Sequence, residues 1–147
     1  MTARALRQAT CVAVAGRGLL IEGPPGAGKS GLALALIDRG AALVGDDGVA
    51  IERRGDALWA LPPPNTRDLI EVRNLGLLRF PALEAPVALR LMLDPHAPRY
   101  LEVADTSEIE GVAIPWLAFD PRIAPAAFRA ELALAAHGLP PRGTLPA

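Results

Sequence analysis

The run at residues 23–30, GPPGAGKS, constrains the fold more than any other feature of the chain. It has the spacing G-x-x-x-x-G-K-S and lies between an apolar run at 18–22 (GLLIE) and a segment, 28–39, in which Leu32, Leu34, Leu36 and Ile37 sit among alanines. Such a loop works only where a strand ends before it and a helix begins within it. The flanks predict that order, with Gly40 as the helix stop. Gly26 and Gly28 can take positive φ angles and turn successive backbone N–H groups inward, and the helix start adds a partial positive charge. Gly23, Pro24, Pro25, Gly26, Ala27, Gly28, Lys29 and Ser30 are therefore the expected cradle for the phosphates of a nucleotide, with Lys29 on the outer phosphates and the Ser30 hydroxyl available to Mg²⁺. Lys29 is the sole lysine beside fourteen arginines. A compact ammonium fits where a planar guanidinium would overfill the cradle.

The rest of the chain reads mostly as strands. Residues 10–15 and 18–22 form a predicted hairpin turning at Gly16 and Arg17, and 42–54 holds two short runs interrupted by GDDG at 45–48. Residues 57–61, 69–80 and 87–93 look like further strands, 100–103 like another, and Pro95, Pro98, Pro115, Pro121 and Pro125 mark turns. Residues 126–136 read as a closing helix, and 138–147, with three prolines, as a loose tail. At 147 residues the length suits one domain, placed over residues 1–137. The predicted class is α/β: a single P-loop-containing domain with a mixed, largely antiparallel sheet and few helices.

Composition narrows the function classes. Hydrophobic residues make up 51% and the formal net charge is −1, which supports a core and provides no field for nucleic acid or an anionic membrane. The arginines are scattered, only Arg53 and Arg54 being adjacent, and no aromatic residues interleave them. No apolar run reaches the length of a membrane span, so a cytoplasmic location is expected. Cys11, the one cysteine, lies in a β-branched apolar run and reads as a buried small hydrophobe. His96 and His137 have no carboxylate or cysteine at metal-ligand spacing and read as surface residues.

Asp46 and Asp47 follow the apolar run Ala42, Leu43, Val44 and would stand beside the glycine loop if the two strands are neighbours. An aspartate there can hold a metal through water or take a proton from an attacking hydroxyl; an Asp-Asp-Gly turn is the plain alternative. Glu71 and Arg73, two apart in a strand, would share a face, as site residues or as a surface ion pair.

Together, GPPGAGKS, LVGDDGVAI and LIEVRNLGLL resemble the catalytic domain of HPr kinase/phosphorylase, the bacterial enzyme that phosphorylates a serine of the phosphocarrier HPr and can remove the phosphate again. The resemblance covers roughly residues 8–80 and is nearest the short proteobacterial form without the N-terminal domain. It implies a protein-serine kinase using ATP or another phosphoryl donor with Mg²⁺, acting on an HPr-like partner and assembling as a homo-oligomer, a hexamer in the full-length family. It also implies Asp47 as proton acceptor, Lys29 on the transferred group, Ser30 and Glu71 as metal ligands, and Arg99 as the catalytic arginine downstream. The chain departs from the pattern at four places. Gln8 stands where a histidine is usual, Gly31 where an acidic residue follows Lys-Ser, and Asn74 where the signature has glycine. The Pro-x-x-Pro-Gly-Arg-Asn loop tied to dephosphorylation is reduced to residues 115–122. These departures favour the kinase over the phosphorylase direction. They leave two alternatives, a nucleotide-binding regulatory module without turnover and a small-molecule kinase.

Overall fold

The computed structural model describes residues 4–65 and 68–141. In chain order the elements are β1 (Arg4–Arg7), β2 (Thr10–Val14), β3 (Arg17–Glu22), α1 (Lys29–Asp38), β4 (Ala42–Gly45), β5 (Val49–Arg54), β6 (Ala57–Leu61), β7 (Leu69–Val72), β8 (Gly76–Arg79), β9 (Ala85–Leu93), β10 (Asp105–Ile109), β11 (Val112–Phe119) and α2 (Ala126–His137). The main sheet has the order β1-β5-β6-β9-β3-β2-β4, and β11 joins β9 while pairing with β10. Among the paired strands described, β3 with β9 and β9 with β11 run parallel and the rest antiparallel. The fold is thus mixed α/β, with a curled, mostly antiparallel sheet and two helices, as the sequence predicted.

The apolar runs explain the centre of this sheet. β3 and β9 are buried on both faces, so each reads as a continuous apolar stretch. Leu19 and Ile21 of β3 join Leu89, Leu91 and Leu93 of β9 beneath the helices, where Leu32 and Leu36 of α1 and Leu134 of α2 complete the core. Leu20 points the other way, into a second cluster with Cys11, Val49, Ile51 and Ile114. β6 meets β9 only at Ala85 and Pro86, whereas β11 meets it from Arg90 onward, so the sheet divides along β9. Each large side chain buried here contributes roughly 1.5–3 kcal/mol. Cys11 is fully buried, and burial pushes its thiol far above the ordinary range.

Several boundaries differ from expectation. The β2–β3 turn is Ala15 and Gly16, both at positive φ, with Arg17 already in the strand. Residues 100–103 are not a strand: Tyr100 and Val103 are exposed. The missed strand pair is β10–β11, joined by Glu110 and Gly111 at φ 51° and 78°, the two-residue turn whose twist suits a hairpin. Pro115 marks no turn but lies inside β11, opposite Thr106. Pairing with β9 starts only at Trp116, so on that side no ladder bond needs an N–H from Pro115. The start of the expected loose tail is held: the Leu139 N–H donates to the Ala88 carbonyl, and Arg17 Nη1 donates to the Leu139 carbonyl at 2.9 Å. Residues 142–147 lie outside the described residues.

Candidate active site

β3 delivers the chain to the glycine loop. At Gly23, φ is 155°, and a Cβ would lie 3.2 Å from the Ala27 Cβ and 3.3 Å from the Leu93 Cβ, so the strand end and the loop close on each other only with glycine. Gly26 and Gly28 follow at φ 82° and 103°, and the Ala27 N–H donates to the Pro24 carbonyl. Gly28 is the N-cap of α1, and no side chain caps the first turn. The first amides of the helix therefore keep their donors for a ligand. Lys29 Nζ folds back onto the carbonyls of Gly23 and Pro24, at 2.8 and 3.1 Å.

The acidic pair lies across from this helix start because β4 pairs with β2 and ends at Gly45. A Cβ on Gly45 would fall 2.4 Å from the Gly48 carbonyl oxygen, so the GDDG turn is tight enough to require glycine there. Asp46 is the hub. Its Oδ1 accepts from Ser30 Oγ at 2.7 Å and from Thr10 Oγ1 at 3.0 Å, and its Oδ2 accepts from the Glu71 N–H at 3.3 Å. The Asp47 N–H donates to the Thr10 hydroxyl, Asp47 takes φ 58°, and its side chain stands exposed at the cleft. Simple alternation along the strand would turn Asp46 away from the site. Because the strand has already ended at Gly45, Asp46 turns inward instead, to Ser30 and Thr10.

A cleft of about 630 Å³ gathers Gly26, Gly28, Lys29, Ser30, Asp46, Asp47, Glu71 and Arg73. Pro25 also lines it, while Gly23, Pro24 and Ala27 form the loop behind. Arg99 is not brought there: it is exposed, in the segment between β9 and β10, and does not line the cleft. Thr10 was missed, although a threonine opening an otherwise apolar strand was its signal. Pro121, expected to mark a turn, does so, and its Cγ lies 3.8 Å from where a Gly28 Cβ would be, so the turn after β11 borders the glycine loop. In that turn Asp120 is held by Arg122 through Nε and Nη2, both at 3.0 Å, and the guanidinium keeps its carboxyl below the usual range. Asn74 sits at φ 71°, a conformation asparagine tolerates better than most residues, which explains how it can replace a glycine.

The donor set fits Mg²⁺. A buried carboxylate and a hydroxyl lie 2.7 Å apart, with no cationic side chain paired to Asp46 among the described residues. No cluster of three or more His, Cys, Asp or Glu side chains stands ready to cage an ion among those residues. The carboxylate of Asp46 and the hydroxyl of Ser30 are both oxygen donors, the ligand type a hard divalent cation takes.

Strand, glycine loop and helix start, faced by a carboxylate bonded to the loop serine, form the strand–loop–helix arrangement that the G-x-x-x-x-G-K-S spacing predicts, on a mixed α/β domain. The chain belongs to the HPr Serine kinase C-terminal domain family, whose pattern it matches over residues 1–83. Among its relatives, the HPr kinase/phosphorylase of Nitrosomonas europaea is 44% identical over 85 residues, covering 57% of this chain and 26% of that one. That of Mycoplasmopsis pulmonis is 45% identical over 69 residues, covering 47% and 22%. The matched region therefore spans about a quarter of each relative. The structure of the HPr(Ser) kinase/phosphatase from Coxiella burnetii superposes with a TM-score of 0.77 at 25% identity, over 90% of this chain and 95% of that one.

Proposed function

We propose that this cleft binds a nucleoside triphosphate with Mg²⁺ and transfers the terminal phosphoryl group to a serine of an HPr-like carrier protein. The observation that carries the reading is the Ser30–Asp46 contact at the open start of α1, with Asp47 exposed beside it. Backbone N–H groups of the loop would bind the phosphates, and Lys29 would exchange its two carbonyl partners for phosphate oxygens. Ser30 and Asp46, with Glu71 nearby, would hold the metal. When bound, that ion neutralises charge on the phosphates as the bond to the leaving oxygen breaks. Asp47 would accept the serine proton, because its carboxylate stands free at the cleft while Asp46 is committed to two hydroxyls.

An open cleft bordered by an exposed hairpin favours a protein over a small molecule as acceptor. The left-handed Asn74 removes one reason to read the chain as a module without turnover. Transfer outlasting dephosphorylation belongs to the same reading, since glutamine at position 8 cannot take up a proton near neutral pH as histidine can. No helix among the described residues is long and apolar enough to cross a membrane. We assign the protein to the cytoplasm, assembled as a homo-oligomer. The test is incubation with labelled ATP, Mg²⁺ and HPr-like proteins. Label should appear on serine and vanish with Lys29→Ala, which removes the charge on the outer phosphates. Full activity and ATP binding in Lys29→Ala would reject the phosphate cradle.

A further inference from the structure

The β7–β8 hairpin is not part of the main sheet. All four residues of β8 are exposed, and Leu75 and Leu77 are 68% and 66% exposed. Two leucines so open, one in the turn and one on the strand, are left uncovered by the described residues. Register shows where Leu77 points. Leu77 pairs with Glu71 and Arg79 with Leu69, and residues directly opposite in an antiparallel pair share a face. Leu77 therefore lies on the same face as Glu71, which lines the cleft, whereas Ile70 turns the other way into the core. The apolar patch is thus continuous with the cleft wall. At the junction stands Arg73, which lines the cleft and has no ion-pair partner among the described residues.

We infer that the outward face of this hairpin, through Leu75, Leu77 and Arg73, is the docking surface for the protein that receives the phosphoryl group. The inference rests on the kinase reading and deepens it. A phosphoryl acceptor that is a folded protein cannot bury itself in the cleft, so its serine must be held over Asp47 by contacts outside the cleft. The hairpin is the element that runs from the cleft wall to open surface. The chemistry of the patch specifies the partner: an apolar side chain near the phosphorylated serine to cover Leu75 and Leu77, and a carboxylate for Arg73. A small number of large apolar contacts, shielded from water at the centre, typically supplies most of the affinity of such an interface.

The experiment measures steady-state phosphorylation of an HPr-like carrier by wild type, by Leu75→Ser/Leu77→Ser, and by Leu6→Ser. Leu6 is an equally exposed leucine on β1, remote in sequence from the hairpin, and serves as control. The double variant should raise KM for the carrier about tenfold or more, equivalent to about 1.4 kcal/mol. Its kcat at saturating carrier, its ATP affinity and its molecular mass in solution should match wild type, and Leu6→Ser should change nothing. Leu75→Met/Leu77→Met should restore the wild-type KM. An unchanged KM in an active double variant overturns the docking surface and leaves the kinase reading standing. A fall in molecular mass assigns the patch to a second copy of the chain and also overturns it. If wild type transfers nothing to any HPr-like carrier, the kinase reading itself falls, and the docking surface with it.

Discussion

Asp46 and Asp47 are adjacent in sequence and opposite in circumstance. Asp46 is buried and accepts the Ser30 and Thr10 hydroxyls and the Glu71 amide, while Asp47 is exposed in a left-handed conformation. The two should therefore fail differently when neutralised. Asp47→Asn keeps the size but cannot accept a proton, so transfer to the carrier should fall roughly 10²- to 10⁴-fold with nucleotide affinity little changed. Asp46→Asn removes the charge facing the loop serine. It should weaken Mg²⁺ dependence and transfer together, and its amide must leave either a donor or an acceptor mismatched among three donors. Parallel titrations of nucleotide and Mg²⁺ alongside turnover separate the two. A nearly silent Asp46→Asn would show that the serine–carboxylate contact has no part in the reaction. Arg99, the arginine expected from the sequence, does not line the cleft, and Arg122, in the turn after β11, is tied to Asp120 and the Pro95 carbonyl.

At the scale of elements, the turn after β4 and the first turn of α1 respond oppositely to the same change. Gly45→Ala would drive a methyl into the Gly48 carbonyl, the Val49 side chain and Pro63, none of which is a flexible chain end. It should destabilise the fold by roughly 1–3 kcal/mol and disorder the acidic pair. Gly31→Ala meets nothing within 4 Å and lies within the helix. It should stabilise by roughly 0.5–1 kcal/mol, read as a higher denaturation midpoint with phosphate binding kept. The elements that carry these glycines were legible in sequence because their signals are local. The glycine loop fixes its own flanks, and Gly45 to Gly48 break an apolar run in two. What was not legible depended on pairing at a distance. Residues 105–109, DTSEI, carry little apolar signal and become a strand because β11 lies alongside. Pro115 reads as a breaker until its position relative to β9 is known. Likewise, the inward turn of Asp46 follows from where β4 stops beside β2, which strand alternation does not encode.

At the scale of the whole molecule, β9 holds the arrangement together, since β6, β3 and β11 all pair with it. The family match ends at residue 83, two residues before β9 begins. The segment that carries the recognisable residues therefore lacks the strand with which β6, β3 and β11 all pair. A chain ending at residue 84 keeps the glycine loop, both aspartates and Glu71, but β3 would lose its neighbour on one edge, and Leu19 and Ile21 would lose the apolar cover of β9. Such a chain should show no cooperative thermal unfolding and no nucleotide binding, whereas the full chain should show both. A cooperative transition in the shortened chain would place the organising core elsewhere. The same dependence sets an order of events during synthesis. The glycine loop precedes β9 in the chain, so during synthesis there is a stage in which the loop is already made while the strand that flanks β3 and covers Leu19 and Ile21 is still untranslated.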